Sequence, residues 1–267
     1  VEFEKQSRRN HRTLRAMFDI AVNLADAQLR PRTEAILDHA WTARVSGILA
    51  LGTDLEESQY LFSQRWDPRV HLSAGTHPHY ARDFAGTQAF EPLWNDPRCV
   101  AIGECGLDYY RMLSDAQTQR AVAGAQLDAA VGLGKPALMH DREASADLLA
   151  LIKARPGLRG VVHCFTGDRA ALEGYLDAGL YIGLTAWCLD ERRGQALAAV
   201  VPHIPLERLL LETDSPYLVP RTLKPRPRRN EPAFVGHIAM GIAALRGEDA
   251  GALIDTTTAN ARALFGC

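Results

Sequence analysis

The sequence has no long apolar run. No segment approaches the ~18 consecutive apolar residues of a membrane-spanning helix, and no apolar signal segment opens the chain. The five cysteines form an odd set with no Cys-x-x-Cys spacing, which predicts a reduced, cytoplasmic protein. The net charge is only -2, which argues against a protein that coats nucleic acid by bulk electrostatics. Any polyanionic partner must therefore be bound locally, and we expect no membrane partner.

No low-complexity linker divides the 267 residues, and 47% hydrophobic with 23% charged residues is typical of a globular protein. This length fits two small domains or one α/β barrel of roughly 250 residues. Residues 1–16 are polar, basic and unpatterned, so we expect a flexible N-terminal extension or a cloning remnant. Met17 is then a plausible natural start, and residues 17–267 form one domain.

From Met17 onward, short apolar runs alternate with helical patterns. The runs cover residues 18–24, 47–53, 70–76, 100–108, 136–139, 160–162, 180–184 and 209–211. Eight continuous apolar strands, each followed by a helix, predict a single (β/α)8 TIM barrel. A doubly wound open sheet is the alternative fold.

Polar side chains fall at the carboxyl ends of these predicted strands. They are Asn23, His77, Glu104, His140, His163 and Asp214. In a closed barrel those ends converge on one mouth, whereas an open sheet would leave residues of its edge strands far apart. Three imidazoles and two carboxylates at one mouth suit a divalent cation.

Each residue also has a purely structural interpretation. His140 and His163 could each be a core histidine, and Glu104 could belong to a structural ion pair. Asp214 could cap a turn, and Glu212 competes with it as a ligand. The neighbouring side chains also have two interpretations. Solvated charges or phosphate contacts are expected at Arg142, Arg228 and Arg229. Packing residues or base-stacking platforms are expected at Tyr109, Trp187 and Phe165, and packing residues at Cys105 and Cys164.

Four ordered motifs then point to a family. Residues 103–109 read GECGLDY, residues 162–167 read VHCFTG, residues 212–218 read ETDSPYL, and residues 229–232 read RNEP. With these motifs the chain resembles the TatD family of metal-dependent deoxyribonucleases from Met17 to Phe265, and its opening MFDIAVNL looks closest to the bacterial members. The resemblance implies a barrel of the amidohydrolase type, a magnesium or manganese site, and 3′–5′ exonuclease action on single-stranded DNA or RNA, with a part in DNA repair.

The resemblance also implies roles for individual residues. Glu104 matches a bridging carboxylate, His140 and His163 match ligands of a second metal, and Asp214 matches a ligand of the first metal and the activator of water. The expected substrate contacts are His77, which we also count with Glu104 and Asp214 as catalytic, together with His79, Arg142, Arg229 and Asn23.

One departure from the family pattern affects the metal. The usual His-x-His pair of the first strand is replaced by Ala21 and Asn23. Alanine cannot bind a metal, and an amide oxygen is a weaker and harder ligand than imidazole. We therefore expect the first metal to bind loosely or to arrive with the substrate phosphate. We expect Mg²⁺, with Mn²⁺ as a second candidate and Zn²⁺ less favoured.

The sequence analysis thus predicts a monomeric, metal-dependent hydrolase of phosphodiester bonds that acts on single-stranded 3′ ends. One alternative is an amidohydrolase-type enzyme for a small amide, lactone or phosphotriester, because the fold does not fix the substrate. A cluster of basic residues after Asp214 favours a nucleic-acid end over a neutral amide as the substrate. These residues are Arg221, Lys224, Arg226, Arg228 and Arg229. A second alternative is a noncatalytic, metal-stabilised binding protein.

Overall fold

The computed structural model describes residues 15–267. The predicted N-terminal extension therefore lies almost entirely outside the described residues. The first strand begins at Met17.

Eight parallel strands follow one another around the sheet in sequence order. They are β1 (Met17–Val22), β2 (Val45–Ala50), β3 (Val70–Ala74), β4 (Cys99–Asp108), β5 (Ala137–Arg142), β6 (Gly160–His163), β7 (Tyr181–Leu184) and β8 (Leu209–Leu211). The chain after β8 returns to β1, because Asp214 N donates to Ala21 O and Asn23 N donates to Ser215 O. These bonds bring the first and last strands together, so the predicted barrel is confirmed and the open sheet is wrong.

Nine α-helices lie between or after the strands in residues 15–267. They are α1 (Thr33–Thr42), α2 (Leu55–Ser63), α3 (Thr87–Trp94), α4 (Ala116–Leu133), α5 (Ser145–Lys153), α6 (Arg169–Asp177), α7 (Gln195–Val200), α8 (Val235–Arg246) and α9 (Ala250–Phe265). Asp54 caps α2 by accepting a 2.8 Å bond from Glu57 N, and Gly134 ends α4 in the left-handed conformation. No helix in residues 15–267 is long and apolar enough to cross a membrane.

Strand alternation explains how the barrel carries its polar mouth. Leu138, Val161 and Leu210 belong to one apolar cluster, and their neighbours along the strands belong to the cluster packed against the helices. His140, His163 and Glu212 each lie two residues after one of these three residues. Because residues i and i+2 point to one face, these polar groups lie directly above the apolar layer.

Candidate active site and metal centre

Two glycines of β4 allow the chain to approach its neighbour closely around Glu104. Gly103 and Gly106 have φ angles of 131° and 126°, which side-chain-bearing residues rarely adopt. A Cβ atom at Gly103 would overlap the carbonyl oxygen of Leu138, and one at Gly106 would overlap that of His140. The glycines on both sides of Glu104 thus keep β4 tight against β5, the strand that carries His140.

Three imidazoles surround one oxygen of Glu104. Glu104 Oε1 lies 2.8 Å from His163 Nε2, 3.2 Å from His77 Nε2 and 3.2 Å from His140 Nδ1. The Glu104 side chain is 6% exposed, so this cluster is shielded from bulk water. Ligand atoms of His77, Glu104 and His140 lie within 4.8 Å of one another, close enough to hold one cation.

The cluster is held together by charge. Burial alone would raise the pKa of Glu104, but the attraction of His163, the proximity of His77 and the hydrogen bonds from His140 and His163 outweigh burial and leave that pKa well below its usual range. Burial lowers the pKa of His77 to about 4, despite the attraction of Glu104. Glu104 is therefore an ionised carboxylate facing a neutral His77.

The other two imidazoles behave in the opposite way. Burial opposes their charged forms, but the pKa of His140 rises to about 9 through its contacts with Asp108 and Glu104. The negative charges of Glu104 and Glu212 raise the pKa of His163 well above its usual value. Within the described part of the chain, His140 Nε2 and His163 Nδ1 are buried without a hydrogen-bond partner. These two nitrogens face Asp108 at 3.6 Å and Glu212 at 3.4 Å, whereas the opposite nitrogen of each ring faces Glu104. The donors around Glu104 are thus imidazole nitrogens and carboxylate oxygens, a set that fits a divalent cation.

Asp214 faces this cluster from the other side of the mouth. It adopts a left-handed φ of 52° just after β8, and Asn23 Nδ2 donates a 3.1 Å bond to its Oδ1. Burial, with the nearby charge of Glu104, raises the pKa of Asp214 to about 7. Glu212 lies deeper and is fully buried, with Oε2 3.4 Å from His163 Nδ1. Asp214 is thus the carboxylate nearer the opening.

These groups line one cavity of about 380 Å³, which we call the catalytic cavity. Seven of the predicted site residues line it: Asn23, His77, His79, Glu104, His140, His163 and Asp214. Arg142 lines a neighbouring cavity, and Arg229 donates a 2.8 Å bond to Gln28 O. The two arginines therefore lie outside the catalytic cavity.

The sequence analysis missed several residues of this cavity. Asp108 accepts from Arg111 N and so closes the turn after β4, but its Oδ2 also lies 2.7 Å from His79 Nε2. Asp108 lies beside the cavity, and the missed residues that line it are Glu57, Thr53, Asp26, Tyr80, Arg111 and Tyr217. They follow β1, β2, β3, β4 and β8, in loops or in the first turns of a helix, and no periodic pattern reveals where these segments run. Only their position shortly after an apolar run could have indicated them.

The structure overturns the expectation for Cys164 and distinguishes the three aromatic residues beside the candidates. Cys105 is buried among apolar residues as expected, but Cys164 lines the catalytic cavity. Burial raises the pKa of the Cys164 thiol well above its usual value, so it is no nucleophile at neutral pH. Phe165 is buried, and the hydroxyl group of the half-buried Tyr109 donates a 2.7 Å bond to Asp147. Trp187, also half-buried, is therefore the remaining candidate platform of the three.

A closed (β/α)8 barrel with imidazoles and carboxylates converging at the carboxyl ends of its strands defines the class of metal-dependent hydrolases. The family model described as TatD related DNase matches residues 18–266. The chain belongs to this TatD family, and the predicted resemblance is confirmed.

Individual relatives agree with this assignment. The chain is 47% identical over 257 residues to a 3′-5′ ssDNA/RNA exonuclease TatD from Erwinia tasmaniensis. This match covers 93% of this chain and 99% of that protein. It is 46% identical over 264 residues to the protein of the same name from Klebsiella pneumoniae, with 94% and 98% covered.

Solved structures share the fold. A TatD homologue from Escherichia coli K12 superimposes with a TM-score of 0.83 at 24% identity, over 96% of this chain and 100% of that chain. A TatD family hydrolase from Entamoeba histolytica gives a TM-score of 0.82 at 23% identity, over 94% and 98%.

Proposed function

We propose that this protein is a metal-dependent 3′–5′ exonuclease that hydrolyses phosphodiester bonds at the ends of single-stranded DNA or RNA. The single observation that carries the proposal is the convergence of His77, His140 and His163 on Glu104, opposite Asp214, in one cavity. Relatives at 46–47% identity are named for that activity, and the match covers nearly their whole length.

The cation would be held by Glu104 and His140, with His77, whose ligand atom lies within 4.8 Å of theirs, or with His163, which the family resemblance implies and whose Nε2 lies 2.8 Å from Glu104 Oε1. Asp214 lines the same cavity. A bound divalent cation would supply Lewis-acid polarisation of a phosphoryl oxygen and a more acidic water. We propose Mg²⁺, with Mn²⁺ as a substitute, because oxygen ligands suit both and the first strand lacks its histidines. Because imidazole nitrogens are also common zinc ligands, Zn²⁺ must be tested alongside Mg²⁺ and Mn²⁺.

The protein's own groups would handle the proton and the phosphate. Asp214 would accept the proton of the attacking water, and its pKa of about 7 in the protein suits a general base near neutral pH. Asn23 would keep its carboxylate in place through the 3.1 Å bond. His77 and His79, at the mouth, would contact the phosphate oxygens as charge develops there.

One barrel brings together the imidazoles and carboxylates that the proposed reaction needs, so we propose that a monomer is sufficient for catalysis. Five free cysteines support a reducing compartment such as the cytoplasm. Removal of a damaged terminal nucleotide would allow such an enzyme to serve in DNA repair.

The test is degradation of single-stranded DNA labelled at its 5′ end, with Mg²⁺, Mn²⁺, Zn²⁺ or EDTA. We expect a ladder that shortens stepwise from the 3′ end and requires a cation. The matched control is the same strand with a phosphorothioate at the terminal 3′ linkage, which should slow the first step. Internal cuts, shortening from the 5′ end, or no cleavage with any cation would refute the proposal. In the last case, small amides, lactones and phosphotriesters become the substrates to screen.

A further inference from the structure

A second and larger cavity opens beside the catalytic cavity. Its volume is about 580 Å³, and we call it the wide cavity. The ends of β5 and β6 contribute to both cavities: His140 and Cys164 line the catalytic cavity, and Arg142 and Thr166, each two residues further along the chain, line the wide cavity. Two residues of extended chain span roughly 7 Å, so the two cavities are immediate neighbours.

Trp187 stands at the far edge of the wide cavity. It lies on a 3-10 turn (Ala186–Leu189) after β7, whose start is capped by Thr185. Its indole is partly exposed, with the guanidinium carbon of Arg193 4.6 Å and that of Arg142 5.8 Å from the ring centre. Both guanidinium groups lie over the indole ring, so a nucleobase that stacks on the ring would take the place of Arg142, the more distant of the two. Such stacking tolerates any base.

The other side of Trp187 lines a third cavity of about 240 Å³, which we call the basic cavity. Arg193, Arg221 and Arg226 also line it, and Asp190 is its single acidic residue. Asp190 lies 3.4 Å from Arg193 and 3.9 Å from Arg221. Three guanidinium groups against one carboxylate leave a positive surface that can bind phosphates.

The wide cavity has a different character. Its apolar lining comes from Leu149 and from alanines of α5 and α6. Two of its carboxylates are already bonded: Asp141 accepts from Ser145 and Tyr175, and Asp168 caps α6 through Ala171 N. Glu143 is the remaining acid, so this cavity suits a base better than a phosphate.

We propose that the strand on the 5′ side of the scissile bond crosses Trp187, with a base stacked on the indole and facing the wide cavity. Its phosphates then lie along Arg142, Arg193, Arg221 and Arg226. This inference rests on the proposed function, because it assumes that the 3′ terminal nucleotide occupies the catalytic cavity. It also gives Arg142 a role outside that cavity, on nucleotides that are not being cleaved.

The experiment measures binding of 5′-labelled single-stranded dinucleotides and octanucleotides by fluorescence anisotropy in EDTA, where no turnover occurs. We expect wild-type affinity to increase with strand length. Trp187→Ala should weaken octanucleotide binding by about 5- to 100-fold, and Trp187→Phe should recover most of it. Arg193→Gln should reduce the slope of log affinity against log salt by ~0.7.

The barrel offers a matched control at its opposite end. Arg208 lies 5.1 Å from the ring centre of Tyr181, the first residue of β7. Arg208→Gln removes an arginine–aromatic pair of the same kind away from the mouth, so it should leave octanucleotide affinity and its salt dependence unchanged. A blunt duplex, whose bases are already stacked, should gain no affinity from Trp187.

The results separate this inference from the proposed function. Affinity that does not depend on strand length, wild-type octanucleotide binding by Trp187→Ala, or equal losses in Arg193→Gln and Arg208→Gln would overturn the inference. Cleavage from the 3′ end in such a case would leave the proposed function standing. If binding depends on strand length and on Trp187 but no cation supports cleavage, the proposed function is refuted and the inference about the binding surface stands.

Discussion

The side-chain amide of Asn23 donates a hydrogen bond of 3.1 Å to Asp214 Oδ1, and the same nitrogen lies 3.1 Å from Ser215 O. Asn23 occupies the place where the family's usual pattern has a histidine. Its amide nitrogen, rather than its oxygen, faces Asp214, because two acceptors surround it. Asn23 thus positions a carboxylate at the mouth of the barrel.

Asn23→Ala should therefore reduce kcat by about 10-fold with a smaller effect on KM, because Asp214 loses the donor that orients it. Steady-state kinetics on single-stranded DNA in Mg²⁺ measure this change. Asn23→Asp adds a negative charge beside Asp214 and should not restore kcat. Wild-type kcat in Asn23→Ala would show that Asp214 is held without the amide.

Asp214→Asn should lower kcat by at least ~100-fold, since the amide cannot accept the proton of water. The same variant should still bind single-stranded DNA in EDTA, which reports that the protein is folded. Turnover at the wild-type rate would assign the general base to another residue.

Asp108→Asn should weaken cation affinity about 10- to 100-fold, measured by isothermal titration calorimetry. Asp108 Oδ2 lies 2.7 Å from His79 Nε2 and 3.6 Å from His140 Nε2, so it orients imidazoles that surround the cation site. Asp115→Asn is the matched control, because Asp115 is an exposed helix cap that an asparagine can replace. Equal cation affinities in the two variants would contradict this role.

Asp19 makes the protein's stability depend on pH. It is fully buried on β1 and accepts bonds of 2.9 Å and 2.6 Å from Thr213 N and Oγ1. Burial raises its pKa from 3.8 to about 8, although the bonds from Thr213 oppose the shift. The folded state thus holds this proton more tightly than the unfolded chain, so the free energy of unfolding should fall as pH rises through the range between those two values and level off above it.

Asp19→Asn mimics the protonated acid and should remove that decline. In EDTA, its Tm should exceed that of the wild type by at least ~3 °C at pH 8 and by much less at pH 4. Asp38→Asn, on the exposed side of α1, should follow the wild type. A constant difference in Tm between Asp19→Asn and the wild type at both pH values would show that Asp19 does not bind the proton.

The sequence revealed the fold because each strand is buried on both faces and reads as an apolar run with helical segments between. It revealed the cluster around Glu104 because strand ends converge in any closed barrel, so the chemistry of His140 and His163 could be combined before their distances were known. The pairing of Asp108 with His79 depends on the path of a loop, and no pattern encodes that path. Arg142 shows the same boundary: the apolar run predicted a strand over residues 136–139 only, whereas β5 extends to Arg142, and no pattern showed which of two adjacent cavities this side chain lines.

The central claim is that a divalent cation held beside Glu104 drives removal of nucleotides from a 3′ end. The most direct measurement compares wild type and Glu104→Gln on 5′-labelled single-stranded DNA across a Mg²⁺ titration, with Mg²⁺ binding measured in the same samples. We expect the wild type to shorten the strand stepwise from the 3′ end only when Mg²⁺ is bound, and Glu104→Gln to lose at least ~100-fold in rate together with Mg²⁺ affinity. Cleavage by Glu104→Gln at the wild-type rate, or by the wild type in EDTA, would contradict the account.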